Sequence, residues 1–413
     1  MIAEIITIGD ELLNGSRVDT NSVFLAGRLD AIGLEVGFIT STGDGMNTLV
    51  EAFHQALRRA DIIVTTGGLG PTDDDITKKA ICKVFKRNLI FHENVLEELQ
   101  NRFAARGLKM PAINQNQALL PQGAKFLANA TGSALGIVID EQGKFFCAMP
   151  GVPSEMELMV DRELLPILKT MIGPAVIIRR RIRTAGIMES ALAELIRPAL
   201  KLADGVSLAY LPSVRGVDLC VKGVGAVADE VRSGVEQLAD AIRDAAGRYI
   251  YTEDNRELEE VVGALLVEKN LTIAVAESCT GGLVGGRITS VPGASRYFKG
   301  GIVAYANEVK IDRLGVPAEI LEQHGAVSAE TAVAMATGAA SALGADIGLS
   351  TTGVAGPTGG TEEKPIGTVF VGLSVSGQVS AMKFNLGVDR EPIRGRTVTI
   401  ALEMVRKNLL GIE

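Results

Sequence analysis

The stretch T-I-A-V-A-E-S-C-T-G-G-L-V-G-G, residues 272–286, runs from a short apolar segment through a glycine turn into a second apolar pattern. It reads as a strand over 272–276, a loop, and a helix from Gly282. That order is the repeating unit of a parallel sheet with helices on its faces. Upstream, helical spacing over 257–269 leads into it. Downstream, strands over 301–305 and 347–352 flank an alanine-rich helix over 329–343, whose small residues suit close packing on a sheet. A hairpin of 367–374 with 378–385 and a closing helix over 391–410 complete an α/β domain over 253–413.

Residues 1–170 share the architecture but no motif with that domain. Runs 5–8, 35–40 and 61–66 are short, β-branched and bounded by Gly or Asp, hence strands, and 21–32 and 47–59 have helical spacing. Segments 135–140 and 145–149 flank E-Q-G as a hairpin. P-G-V-P at 150–153 then starts a helix to about Leu165, where Pro166 should disturb it. Residues 171–252 differ in texture: a strand-like V-I-I-R-R-R-I-R, a helix over 189–202, a strand over 217–222 and a helix over 227–247. The expected fold is α/β, with two α/β sandwich domains of largely parallel sheets joined by a small α+β module.

Bulk properties narrow the class. The chain has 413 residues, 47% hydrophobic and 22% charged, enough for several soluble cores. It has no run of about 18 apolar residues, so no membrane span is expected. The N-terminus lacks the basic start of a signal peptide. Cys82, Cys147, Cys220 and Cys279 form no C-x-x-C pair, which argues against a zinc site or disulfide framework and fits a reducing cytoplasm. A net charge of −8 and the lack of aromatic–basic interleaving speak against direct nucleic-acid contact. The one dense basic run, Arg179 to Arg183, reads as a solvated strand edge.

Two constellations carry chemistry. In T-T-G-G-L-G-P-T-D-D-D, residues 65–75, glycine amides can approach an anion at a helix start near Asp75, while three aspartates would repel a bare phosphate. A hard divalent cation resolves that conflict, since carboxylate and phosphate oxygens are its ligands. The competing reading is a helix cap, for which one aspartate is enough. G-D-E-L-L-N-G, residues 9–15, should lie at the same carboxyl edge, where open parallel sheets bind ligands. In the back half, Ser278 and Cys279 are rival nucleophiles; a thiolate would be favoured at a helix start, yet a small thiol there is commonly packing. The one histidine in that half, His324, falls in a connection between helices and suits a solvent-facing role better than a triad. Lys310, opening a helix after the next strand, is the alternative base if burial leaves its amine neutral.

G-D-E-L-L-N-G, T-G-G-L-G-P-T-D-D-D and P-G-V-P-S-E-M resemble the molybdopterin-binding domain at the front of the competence/damage-inducible protein A (CinA) family. The resemblance implies hydrolysis of ADP-ribose at its pyrophosphate with a divalent metal such as Mg, Co, Ni or Mn. It implies that Thr66, Gly67, Gly68, Gly70 and Thr72 cradle the diphosphate, and that Asp73, Asp74 and Glu11 or Asp44 manage the metal. E-S-C-T-G-G, G-A-S, Y-A-N-E-V-K and S-T-T-G-V-A-G-P-T-G-G-T-E-E-K-P-I-G-T-V resemble the nicotinamide mononucleotide (NMN) deamidase domain at the back of that family, which needs no cofactor. By motif, Ser278 is then the nucleophile and Lys310 the general base. Ser295, Tyr305 and Thr352 contact substrate, as does an arginine near the last helix, Arg390 or, by slight preference, Arg394. Amides around Thr280, Gly281 and Gly282 stabilise the oxyanion or hold the nucleotide phosphate, and Tyr305 can stack on the pyridinium for about 0.5–2 kcal/mol. The middle segment falls where the family has a KH-like module, though it shows no clear G-x-x-G nucleic-acid loop. The family leads to an expected homodimer. The alternatives are a front domain that only binds a nucleotide or pterin, and a non-enzymatic partner in DNA uptake or recombination.

Overall fold

The structure, a computed structural model, describes residues 1–72, 75–173 and 175–412. Asp73 and Asp74, both expected at a metal, lie outside the described residues. Contacts divide the chain into two units, one of residues 1–177 with 224–228, the other of residues 178–223 with 229–413.

The first unit is a six-stranded sheet between helices. Its strands are Ile2–Ile8 (β1), Glu35–Thr42 (β2), Ile62–Thr66 (β3), Lys125–Leu127 (β6), Gly136–Glu141 (β7) and Lys144–Met149 (β8), in the order β2-β1-β3-β8-β7-β6. A two-stranded ribbon, Leu89–Phe91 (β4) with Leu119–Pro121 (β5), stands apart. The first four strands of the sheet are parallel, and β7 and β6 are antiparallel. Strand alternation sorts the apolar side chains. Ile5, Ile62, Val64, Phe145 and Cys147 meet helix Thr20–Ala31 and helix Pro153–Met159 on one face. Ile6, Ile63, Phe146 and Ala148 meet helix Met46–Arg59 on the other, where Phe53 and Phe146 stack edge to face at 5.0 Å. Pro166 does not break its helix. A π-helical stretch, Val160–Leu164, precedes it, and Leu165 N bonds Val160 O one residue farther back than in an α-helix. The ladder has shifted before the missing proline N–H is reached, so helix Leu165–Ile172 continues.

The second unit holds two sheets. Val176–Thr184 (β9), Val206–Ser213 (β10), Gly216–Gly225 (β11) and Ile250–Thr252 (β12) form a sheet of order β10-β11-β9-β12. Helices Glu189–Ile196 and Ala228–Ala246 pack on it. The first of these is shorter than expected, because Pro198 turns the chain into the 3-10 segment Arg197–Ala199. The larger sheet is made of Ile273–Glu277 (β13), Phe298–Val303 (β14), Ile347–Gly353 (β15), Thr368–Val375 (β16) and Gln378–Asn385 (β17), in the order β14-β13-β15-β16-β17. β14, β13 and β15 are parallel; β16 and β17 are antiparallel. Both large sheets thus carry their parallel strands on one side and an antiparallel pair of strands on the other. Helix Ala329–Leu343 lies so close to its sheet that a Cβ on Gly348 would sit 1.9 Å from Ala336 O, and one on Gly372 would sit 2.4 Å from Ala332 O. The middle segment is not a free-standing linker: Ala185 and Tyr251 belong to the same core as Ile273, Leu349 and Leu402.

Candidate functional site

In each large sheet, the loops after the parallel strands meet at one edge. In the back unit, Ser278 follows β13, Tyr305 follows β14 and Thr352 lies near the end of β15; the register pairs Glu277 with Val303 and Thr351. Ser278 is half-buried, and its amide donates to Thr351 O at 2.9 Å. Thr280 is buried, its hydroxyl 2.7 Å from that of Thr351. The turn closes with Gly281 N donating to Ser278 O, and Gly281 and Gly282 both take positive φ.

Glu277, quoted in the motif but given no role there, organises this turn. Its buried carboxylate accepts from the amides of Gly282 at 2.9 Å, Val284 at 3.0 Å and Gly285 at 2.8 Å. The start of the helix Leu283–Thr289 is thus occupied by the protein's own anion, and Gly282 N is not free for a phosphate. The amides of Cys279 and Thr280 have no oxygen acceptor among the described residues.

Lys310, on helix Asn307–Leu314, is 1% exposed. Burial pushes its pKa below the ordinary lysine value, with Cys279 and Glu308 acting in the opposite direction from nearby. Its Nζ donates to Tyr305 O at 3.2 Å, and among the described residues it makes no hydrogen bond to Ser278. Cys279 is buried in the core, and burial pushes its thiol up to about 12. A thiolate is therefore disfavoured there, despite the helix start. His324 turns its ring toward Glu330 at 3.7 Å and is 42% exposed.

The remaining expected residues divide. Arg390 donates to Gly356 O at 2.8 Å and to Tyr305 Oη at 3.4 Å; Tyr305 is 63% exposed. Arg394 donates to Thr280 O at 2.9 Å and to Glu391 at 2.7 Å, and its Nε is buried without a partner among the described residues. Both arginines thus reach the Ser278 edge. Thr352 is buried and donates to Ala326 O at 2.6 Å, leaving only its acceptor lone pairs for a ligand. Ser295 is exposed on the turn Ala294–Arg296 and bonds to none of the others.

The front edge holds a cleft of about 610 Å³, lined among others by Glu11, Asn21, Asp44, Gly68 and Gly151. Thr66 also lines it, but its hydroxyl donates to Pro150 O at 2.8 Å and accepts from Asn21 Nδ2 at 3.0 Å. Gly67 has φ 116° and Gly68 φ 63°; a Cβ on Gly67 would lie 2.2 Å from Ile8 O. The loop fills much of its own nest. Asp75 accepts from Gly70 N at 2.7 Å, Thr72 N at 2.8 Å and Thr72 Oγ1 at 2.5 Å. Gly70 and Thr72 are therefore not open phosphate donors here, whereas the amides of Gly68 and Leu69 have no acceptor among the described residues. Glu11 and Asp44 offer hard oxygen donors of the kind a divalent ion takes. No group of three or more His, Cys, Asp or Glu that could hold an ion by itself occurs among the described residues.

Two front residues had no motif to announce them. Asn21 Nδ2 ties Thr66 to Gly151 O at 2.9 Å, and its Oδ1 is buried without a partner among the described residues. Lys78 is buried beside Asp75, donates to Asn116 O at 2.6 Å, and has its pKa lowered by burial to about 8.

Similarity to known proteins follows the same order of regions. Residues 4–170 match a probable molybdopterin binding domain, 179–252 the damage-inducible protein CinA KH domain, and 255–409 the CinA C-terminal domain. A CinA-like protein of Gemmatimonas aurantiaca is 43% identical over 412 residues, covering 98% of this chain and 96% of its own. The chain belongs to the CinA family. A CinA-like protein of Dictyoglomus thermophilum is 41% identical, with both chains covered in full. A solved competence/damage inducible protein of Agrobacterium tumefaciens is 39% identical over 37% of this chain and 93% of its own, with a TM-score of 0.36. In the KH-like module of this CinA-family chain, Arg180 pairs with Glu236, Arg181 with Asp218, and Arg183 with Asp218 and Glu257. The basic run is thus matched by carboxylates. No helix among the described residues is long and apolar enough to cross a membrane.

Proposed function

We propose that the back unit is an amidohydrolase acting on NMN. Ser278 Oγ attacks the carboxamide carbon as Lys310 Nζ takes its proton. That proton then passes to the leaving ammonia, and water hydrolyses the acyl-enzyme to nicotinate mononucleotide, releasing Ser278. The observation that carries the reading is Lys310, a buried amine whose pKa burial lowers, one strand away from a half-buried serine. The bond to Tyr305 O holds Nζ in waiting, and catalytic hydrogen bonds commonly tighten only once substrate is bound. With Gly281 and Gly282 amides already engaged, those of Cys279 and Thr280 are the donors left for the oxyanion. Tyr305 offers an exposed ring to the pyridinium, and Arg390 and Arg394 supply charge for the phosphate. No cofactor is required for these steps. Incubating the full chain with NMN and following ammonia tests the reading; Ser278→Ala should abolish release, and turnover that survives it while Cys279→Ala abolishes it would overturn the assignment.

For the front unit, the same proposal extends to ADP-ribose hydrolysis at the pyrophosphate with a divalent ion. Such an ion would offset the charge of the diphosphate, with Glu11 and Asp44 as its protein ligands, joined by Asp73 and Asp74. A second reading, binding of a nucleotide or pterin without hydrolysis, is favoured by Asp75 occupying the loop amides. Full-chain protein incubated with ADP-ribose and each of Mg, Mn, Co and Ni separates them: AMP formation supports hydrolysis, and silence with every ion supports binding alone. We place this chemistry in a cytoplasmic homodimer, which sedimentation would check.

A further inference from the structure

The turn of the β10–β11 hairpin in the KH-like module touches the two elements that frame Ser278. Val214 O accepts from Thr399 Oγ1 at 3.1 Å, and the same oxygen of Thr399 accepts from Arg287 Nη1 at 3.0 Å. Thr399 lies on helix Arg390–Leu410, which carries both site arginines, and Arg287 lies on Leu283–Thr289, the helix that follows the Ser278 turn. Val214 also packs where Gly395, next to Arg394, has no side chain; a Cβ there would be 3.3 Å from Val214 Cβ. Arg215 Nη1 pairs with Glu257 at 2.9 Å and reaches Glu259 at 3.7 Å, and Glu259 is in turn paired with Arg287.

We propose that the turn 213–216 is a positioning element of the back active site, holding the arginine-bearing helix against the helix after Ser278. One hydroxyl and one carboxylate carry the linkage, and both are buried: Thr399 is 4% exposed and Glu259 5%. Buried polar groups that lose a partner cost more than exposed ones, so a displaced turn cannot be ignored by Arg287, whose Nε already lacks a partner among the described residues. A residue such as Arg215 thus acts on substrate binding through Glu259 and Arg287, without touching substrate.

The kinetic part of the test rests on the amidohydrolase reading. Full-chain Arg215→Ala and Thr399→Val are compared with wild type, with Arg215→Lys as the conservative variant and Ser207→Ala, on the same hairpin but away from the turn, as the control. KM for NMN should rise roughly three- to thirtyfold in the first two, with kcat little changed, and recover in part in Arg215→Lys. A role confined to stability would lower the melting midpoint without that split. Hydrogen exchange should quicken at amides 283–289 and 390–396 and stay at the wild-type rate in Ser207→Ala. Exchange needs no substrate, so if the wild-type protein does not act on NMN, that reading falls and exchange alone decides this one. Unchanged KM and unchanged exchange at both helices, or quickening spread evenly over the unit, would overturn it.

Discussion

Replacing Glu277 by glutamine isolates the device that shapes the Ser278 turn. Glu277 Oε2 accepts two amides, Gly282 and Val284, and Oε1 accepts the third, Gly285, with the residue 2% exposed. Glutamine keeps the shape and one acceptor oxygen. That oxygen belongs on the side with two amides, which turns the NH2 toward Gly285 N, donor against donor. One charge-assisted bond is lost, two become neutral, and a buried N–H is left without a partner. With roughly 1.5–3 kcal/mol for a charged bond and about 0.5–1.5 for a neutral one, losing one bond and weakening two costs on the order of 4–6 kcal/mol, of which the Gly285 bond carries about 1.5–3. At about 1.4 kcal/mol per factor of ten, the loss of its own bond should make the Gly285 amide exchange roughly 10- to 150-fold faster. Ammonia release from NMN should fall about tenfold or more, because the turn that ends in Gly282 begins at Ser278. Amide exchange by NMR on wild-type and Glu277→Gln protein is the assay. Exchange at Val284 and Gly285 within about threefold of wild type would refute the reasoning, since it would mean the three bonds contribute little where they are most buried.

Other outcomes follow from single groups. Burial lowers the Lys310 pKa, so kcat/KM should rise with pH along an acid limb centred below the ordinary value of 10.5; Glu308→Gln, which removes a carboxylate that holds the proton on, should move that limb to lower pH. The unfolded chain keeps the Lys310 proton in the window between the lowered folded pKa and 10.5, so stability should rise with pH across it, and urea melts of Lys310→Met should lose that slope. Cys279→Ala should keep turnover and lose about 1 kcal/mol of stability, whereas Ser278→Ala should lose about 10³-fold or more in kcat. Arg406→Ala leaves Glu403 buried without the guanidinium 2.7 Å away and should cost about 3–5 kcal/mol in chemical denaturation, while replacing both with methionine should be far milder.

Much of the architecture was legible because its signals are local. Strands β1, β3, β8 and β15 are short β-branched or apolar runs with glycine or aspartate at an end, β13 is a short apolar run, and the alanine-rich helix falls on Ala329–Leu343 as its spacing required. β10 was not legible: V-S-L-A-Y-L-P-S has weak alternation and gains its identity from pairing with β11. The continuation through Pro166 was also hidden, because the π-helical step that makes room for it has no residue signature of its own. At the sites, Ser278, Tyr305 and Thr352 lie at one sheet edge and Thr66, Gly67 and Gly68 at the other, whereas Ser295 bonds to none of the back-unit residues. Asn21 and Lys78 are single polar residues in ordinary amphipathic helices, and nothing in one sequence marks them until Thr66 and Asp75 are beside them.

The two glycine loops teach a shared lesson about such motifs. A strand, a glycine turn and a helix start suggest an anion site because the amides at the turn lack partners. Here each loop brings its own anion: Asp75 closes on Gly70 and Thr72, and Glu277 closes on Gly282, Val284 and Gly285. A phosphate arriving at either place would meet a carboxylate already bonded to the amides it needs. The internal acceptor therefore moves ligand recognition one step away. On the proposed reading it would fall in the back unit to the amides of Cys279 and Thr280 and to the guanidinium groups of Arg390 and Arg394, and in the front to the amides of Gly68 and Leu69. Their glycines serve the turn and the close approach of the backbone, as at Gly67 over Ile8 O.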